Sequence, residues 1–368
     1  MTVDTPSSGW QRAGFMIPTE PIGSIPRSDE LVSALEAAAA GSISEAELDA
    51  VLAQAVRETI TAFEATGSPV ITDGEQRKPS FATYPIHGLD SLAPDGVVIP
   101  FADGHTRQLP VLTKGPFRYA THAESYLRPA QALASRPVKQ AVISASALSL
   151  LYPADGIDGY GREAFLADLV DEAEADIRGC LDAGAHSVQI DFTEGRLALK
   201  LDPSGGLVRQ FVDLNNRVLD RFSEDERARI GVHSCPGGDH DSTHSADVAY
   251  DELLPTLFDH NLGAFYLELA REHDPESVLQ AISANLRPGQ RVFVGVIDPI
   301  DPVVETPEQV RDRVLIAARH IPLDQLGTTD DCGFSPFADD RSTARDTAFA
   351  KIRARVEGTR LAAEQLGV

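Results

Sequence analysis

The chain has 368 residues, 42 % of them hydrophobic and 24 % charged, with a net charge of −24. That composition belongs to a folded globular protein rather than a disordered chain. The acidic excess disfavours nucleic acid and anionic membrane surfaces as partners. No apolar run approaches the ~20 residues needed to span a bilayer. The first twelve residues lack a signal-peptide core, so a cytoplasmic location is expected. Three cysteines exclude a disulfide scaffold.

Residues 1–16 read as a mobile tail, followed by one domain over 17–368. The stretch "FMIPTEPIGSIPR" is apolar but broken by prolines and a glycine, as at a strand end. Helical patterns occupy 28–40 and 44–65, the second with Ser42 or Ser44 as its cap. "SPVITDGEQ" (68–76) is a short β-rich run. Residues 92–120 carry β-type residues on both sides of an Asp-Gly turn and read as a β-hairpin excursion. From 137 onward strands and helices alternate. Strands near 18–23, 69–73, 139–145, 187–191, 229–233, 264–268, 291–297 and 326–330 make eight. Helices are expected over 161–183, 206–222, 249–260, 275–286, 306–319 and 342–365. Alternation implies parallel strands and right-handed crossovers. Eight units predict an α/β fold, a single (β/α)8 TIM-type barrel with a β-hairpin insertion. An open doubly wound sheet would show a Gly-rich phosphate turn after its first strand, and none is present.

In such a barrel the loops after the strands build the active site. Those loops carry Ile22-Gly23-Ser24, Asp73-Gly74-Glu75, Asp191, His233-Ser234-Cys235, Glu268 and Asp330-Asp331-Cys332-Gly333. His233 and Cys235 are two apart and share a strand face. With Cys332 and Glu268 they offer N, S, S and O donors, a set that suits zinc and not magnesium or calcium. Taken singly, Cys332 is a small buried apolar residue and Glu268 an ion-pair partner for Arg271. Their joint placement favours a metal. Cys180 falls in a helix pattern and reads as core. The ligand-rich segment 237–244 reads as a solvated loop more readily than as a second metal site. Asp298 and Asp301 read as caps of the loop after strand seven. Arg77 and Lys78 are either exposed or anion-binding.

These residues resemble the C-terminal catalytic barrel of cobalamin-independent methionine synthases, from about residue 17 to the end. The motifs are similar in order: "PIGSIPR" (21–27), "DGEQRK" (73–78), "VQIDF" (188–192), "HSC" (233–235), "YLELAR" (266–271) and "TTDDCG" (328–333). The resemblance implies that His233, Cys235, Glu268 and Cys332 bind Zn2+. It implies that Ser24 and the backbone around Ile22 and Gly23 hold the carboxylate of homocysteine. Glu75 and Asp191 are then the catalytic carboxylates that pair with its amino group. Zinc deprotonates a bound thiol, whose free pKa is near 8.5, so the substrate sulfur becomes a nucleophile.

The donor side departs from the family. The family's second, N-terminal barrel has no counterpart in this chain. The strand that carries the pterin-stacking Trp reads "PVKQAVISAS", and Trp10 is the only tryptophan. The family's acid-base His after strand seven is replaced by "DPIDP" (298–302). The loop between His233 and Glu268 is longer than the family norm. The expected partners are therefore a homocysteine-like thiol and a methyl or alkyl donor. A corrinoid protein or another small methyl compound is expected in place of folate. Asp301 is the available substitute acid, and Phe192 or Tyr152 the substitute platform. Two other readings remain open. One is an alkyl transferase resembling the epoxyalkane:coenzyme M transferases, and the other is a non-catalytic zinc- or thiol-binding partner protein.

Overall fold

The computed structural model describes residues 17–368; the expected tail, with Trp10, lies outside the described residues. Its centre is a six-stranded, all-parallel sheet. The strands are β1 (Gln140–Ile143), β2 (Val188–Asp191), β3 (Ile230–Ser234), β4 (Ala264–Leu267), β5 (Arg291–Gly295) and β6 (Leu326–Thr329), paired in chain order. Every residue of β2, β3, β4 and β6 is buried, because both faces of the sheet are covered.

Two of the eight expected strands are reduced to single bridges at the sheet edges. Thr19 pairs with Thr328 of β6, and Ile71 pairs with Val138 just before β1. The two edge segments also meet: Ile25 donates to the Gly74 carbonyl at 3.0 Å, and Thr72 Oγ1 donates to the Gly23 carbonyl at 2.8 Å. Pro18, Pro21, Pro26 and Pro69 explain the shortening, since proline has no N–H to place in a ladder.

The two faces of the sheet differ in chemistry. Val188, Ile190, Ile230, Val232, Phe265, Leu267, Val292 and Val294 point outward into the main hydrophobic core with the helices. The alternate residues point the other way. Register sets Asp191 beside His233, His233 beside Tyr266, and Tyr266 beside Phe293. Tyr266 and Phe293 stack at 4.6 Å and, with Ile22 and Ala264, form a separate inner cluster. Below them Lys139 Nζ sits 3.4 Å from the centre of the Tyr266 ring and donates to the Pro21 carbonyl at 2.7 Å. The Tyr266 hydroxyl donates to Glu20 Oε2 at 2.6 Å, and the Lys139 ammonium lies 3.6 Å from the same oxygen.

The expected helices stand at Asp29–Ala39, Glu45–Ala65, Arg162–Asp182, Gly206–Leu219, Tyr250–Leu257, Pro275–Asn285, Pro307–Ala317 and Arg345–Leu366. Ser44, not Ser42, caps the second, in a reciprocal box with Glu47. Short helices at Glu124–Leu133, Ala145–Ser149, Glu194–Leu201 and Glu224–Arg227 were not expected. Cys180 is fully buried in the core. Among the described residues no helix is long and apolar enough to cross a membrane.

The excursion is a two-tier hairpin. Val98–Pro100 pairs with Thr106–Gln108, and Leu92–Ala93 pairs with Val111–Leu112, both antiparallel. Segment 237–244 is not a solvated loop. It forms a small ribbon, Gly238–Asp239 against Ser242–Thr243, with Asp239, Ser242, Thr243 and His244 buried. The hairpin accounts for that burial. Arg107 crosses to Asp239, which also accepts from His105, while Ala102 donates to the Thr243 carbonyl.

Candidate metal and thiol site

His233 is the fourth residue of β3 and Cys235 follows that strand by one, so both side chains emerge on the inner face at its carboxyl end. Cys332 arrives from the loop after β6. The ligand atoms of His233, Cys235 and Cys332 lie within 4.8 Å of one another, and the two sulfurs are 3.2 Å apart. His233 is 2 % exposed. Its Nδ1 binds the Tyr266 carbonyl at 3.1 Å, which makes Nδ1 the protonated nitrogen and leaves the Nε2 lone pair free. Nε2 has no hydrogen-bond partner among the described residues. A buried, oriented imidazole lone pair beside two sulfurs is a donor set that could hold a metal ion such as zinc. The hydrogen bond from Cys235 holds the Cys332 thiol well below the usual thiol range, against the effect of burial, with His233 adding to it. The same hydrogen bond, together with burial, pushes the Cys235 thiol up.

Glu268 stands outside this compact triad. It follows β4 directly, is buried, and shares a small cleft with Cys332 and Asp331. Its Oε2 makes no hydrogen bond, and Arg196 Nη1 lies 3.8 Å away. Burial pushes its carboxyl well up, and Asp331 adds to that. Its ion-pair partner is not Arg271, which instead faces Asp298 at 3.4 Å. The turn that carries Glu268 is held from the neighbouring loop: Asp331 accepts from the backbone N–H groups of Leu269, Ala270 and Arg271 at 2.9–3.0 Å.

One cavity is lined by Ile22, Gly23, Ser24, Glu75, Asp191, His233 and Cys332 together. Ser24 Oγ accepts from the Ser335 N–H at 3.2 Å, and Gly333 packs against it. Glu75 adopts a left-handed backbone (φ 57°) just after Gly74 (φ 67°). Such a conformation is rare for a side-chain-bearing residue and marks a position fixed by its surroundings. Asp73 Oδ1 takes the Glu75 N–H, and buried Arg27 donates to the carbonyls of both Glu75 and Lys78 at 2.9 Å. Lys78 is not exposed, and its anionic partner is a side chain of this protein. It is fully buried and donates to Glu75 Oε1 at 3.0 Å and to the Ala141 carbonyl at 2.9 Å. Burial works against the Lys78 charge, but Glu75, Asp73 and Asp191 hold it on. Arg77 instead turns outward to Asp49. The Asp191 carboxyl is pushed up to about 7 by burial; the Glu75 charge adds, while His233 and Lys78 oppose.

The donor-side substitutes do not line this cavity. Phe192 is fully buried edge-on to His260, and Tyr152 stacks on Phe165. Asp301 caps its own loop by accepting from the Val303 N–H. Asp239, His240 and Asp340 form a second cluster of possible ligands, but the Arg107 guanidinium already occupies Asp239. Sequence reasoning missed Arg27 and the short helix that begins at Glu194, gave Asp331 no role of its own, and did not foresee that Lys78 pairs with Glu75. The doubled acid at 330–331 was the one visible signal. Asp330 instead pairs with buried Arg355.

A family model described as the cobalamin-independent synthase catalytic domain matches residues 17–357. A Bacillus subtilis protein, YxjH, is 25 % identical over 90 % of this chain and 91 % of its own length. A Sulfurisphaera tokodaii protein described as methionine synthase is 22 % identical over 95 % and 94 %. A 5-methyltetrahydropteroyltriglutamate–homocysteine methyltransferase of Streptomyces griseus is 25 % identical, with the match spanning 89 % of this chain and 41 % of that protein. Among solved structures, a B12-independent methionine synthase from Shewanella, in complex with selenomethionine, superposes with a TM-score of 0.74. It is 18 % identical and covers 96 % of this chain and 99 % of its own. The chain belongs to the cobalamin-independent synthase catalytic-domain family.

Proposed function

We propose that this protein is a zinc-dependent S-methyltransferase that activates homocysteine for methyl transfer to give methionine. The observation that carries this reading is the convergence of His233 Nε2, Cys235 Sγ and Cys332 Sγ within 4.8 Å. These three residues would hold the metal, with Glu268 at the end of the next strand as the candidate fourth ligand. Bound zinc supplies a Lewis acid that keeps a substrate thiol deprotonated at neutral pH.

The chain's own residues do the rest. Tyr266 fixes the His233 tautomer through its carbonyl. Asp191 and Glu75 face the cavity as the pair that receives the substrate ammonium. Lys78 already balances one carboxylate, so the pair has room for one further cation. Ser24, with the Ile22 and Gly23 backbone, receives the substrate carboxylate and so orients the sulfur. An acidic pair suits an amino-acid thiol better than the sulfonate thiol of an epoxyalkane-type transferase. Neither the structure nor the relatives support a corrinoid partner. We read the Thr19 and Ile71 bridges as the seam that closes the sheet into a TIM-type barrel, and the location as cytoplasmic.

Metal analysis tests the proposal. Protein purified without chelator is expected to hold about one zinc per chain. Cys235→Ala and Cys332→Ala are expected to lose most of it, and Cys180→Ala to keep it. Full zinc in both ligand variants overturns the reading.

A further inference from the structure

The thiol cavity adjoins a larger chamber that the reaction outlined above does not use. Phe81, Thr193, Gly237 and Gly238 line both spaces, so the two adjoin. The chamber has a volume of about 360 Å³, in the range of small-molecule sites. Its walls include Phe81, Phe101, Phe337, Leu109, Leu150 and Leu197. The hairpin forms one side and is latched there. The Arg107 guanidinium lies 4.1 Å from the Phe337 ring centre and is shared between Asp239 and Asp339, so its charge is spent.

One acid in this chamber has no such partner. Glu194, 5 % exposed, opens the helix Glu194–Leu201 and lines the wall. Its Oε1 accepts hydroxyl bonds from Ser144 at 2.6 Å and Ser146 at 2.5 Å. Asn215 Nδ2 donates to Ser146 Oγ at 2.9 Å, which turns the Ser146 proton toward the carboxylate. Burial pushes this carboxyl up, and the two hydroxyl donors oppose that shift. Oε2 has no hydrogen-bond partner, and Glu194 makes no ion pair among the described residues. A buried carboxyl with one unpartnered oxygen therefore borders an aromatic chamber, and a cation placed there would pair it.

We propose that this chamber binds the methyl donor as an onium cation, a sulfonium or quaternary ammonium, with Glu194 as its counter-charge and the phenylalanine rings around its methyl groups. The proposal rests on the thiol-activating reading and names the donor class for the same site. Onium groups are held by aromatic faces and a nearby carboxylate. The step balances without an acid. A lone pair of the substrate thiolate forms the new S–CH3 bond. The electron pair of the breaking CH3–S⁺ or CH3–N⁺ bond stays with the leaving atom, which departs as a neutral thioether or tertiary amine. The thiol proton has already gone to solvent. No group at Asp298–Pro302 has to protonate the leaving group, in keeping with the aspartates there serving as loop caps. Glu194 acts on donor affinity and choice, so its loss is read in KM rather than kcat.

The test begins with binding alone, with neither thiol nor added zinc, so that it stands or falls apart from the metal assignment. Calorimetry compares choline with its uncharged carbon isostere, 3,3-dimethylbutan-1-ol. Choline is expected to bind about tenfold more tightly or better. Glu194→Gln, which keeps an acceptor for both serines, is expected to erase that preference. Phe81→Leu is expected to weaken choline binding. Equal binding of the two probes to the wild type overturns the proposal, as does a choline preference that survives Glu194→Gln. Should Glu194→Gln fail to fold, the wild-type comparison and Phe81→Leu decide. In turnover, trimethylsulfonium and homocysteine are expected to give methionine and dimethyl sulfide, with KM for the sulfonium raised in Glu194→Gln. Turnover with 5-methyltetrahydrofolate and none with the sulfonium overturns the donor assignment. Loss of the zinc assignment with choline selectivity intact would refute the thiol reading alone.

Discussion

Gly295 leaves empty the space that the Asp331 carboxylate occupies: a Cβ on Gly295 would fall 1.8 Å from Asp331 Oδ1. From that niche Asp331 takes three successive backbone N–H groups of the turn after Glu268. The end of β5 thus sets the position of a residue at the end of β4. Gly295→Ala is expected to expel the carboxylate, and Asp331→Asn to turn one acceptor oxygen into an NH2 that faces an N–H. Each leaves buried backbone donors unpaired, at a cost of about 1–3 kcal/mol per group. Both variants are expected to melt earlier than wild type and to hold zinc less tightly. Unchanged metal affinity in both would remove Glu268 from the coordination sphere.

Gly333 and Ser24 have a similar relation on the thiol side. An added Cβ at 333 would lie 2.2 Å from Ser24 Oγ. Gly333→Ala is expected to displace Ser24 and raise KM for homocysteine while sparing zinc content. Overpacking of this kind costs about 1–3 kcal/mol. A normal KM would show that Ser24 does not contact substrate.

The acidic pair predicts thiol selectivity. Homocysteine is expected to bind more tightly than mercaptoethanesulfonate, which has no ammonium for Asp191 and Glu75. Asp191→Asn is expected to weaken homocysteine and to improve the sulfonate thiol, since it removes a carboxyl facing the cavity. Buried polar groups left unpaired by the wrong ligand give strong discrimination. Competition for methyl transfer between the two thiols checks this, and equal affinity in the wild type would count against the amine site.

Glu20 predicts an acid limb to stability. Burial alone would raise its pKa, but His186, Lys139 and Tyr266 hold it down to about 2 from an ordinary 4.5. A carboxyl depressed in the folded state contributes stability above pH 4.5 and loses it as pH falls toward 2. The contribution is on the order of 3 kcal/mol. Glu20→Gln is expected to be less stable at neutral pH, because Lys139 loses its counter-charge, and to show a flatter decline over that window. Urea melts at intervals between pH 2 and 6 would measure it.

Much of this protein was decided locally. The alternation of apolar strands with amphipathic helices is a periodicity, and periodicity survives in one dimension, so β1 to β6 and the long helices stand close to where the pattern puts them. His233 and Cys235 are two apart on one strand, and a strand's geometry alone makes their side chains parallel. The Asp103-Gly104 turn likewise announces its hairpin. What the chain could not show locally is which distant groups meet. Prolines at 18, 21, 26 and 69 leave the first two strands as single bridges. Lys78 looks like any surface lysine until the turn at Gly74 and Glu75 folds it inward onto Glu75. Segment 237–244 is polar enough for solvent, yet Arg107, more than a hundred residues earlier, covers it. Phe81, Phe101 and Phe337 share no spacing, and Glu194 looks like a helix-start acid. Their common chamber exists because the hairpin folds across the mouth of the sheet, and contacts between segments so far apart in the chain leave no periodic trace in it.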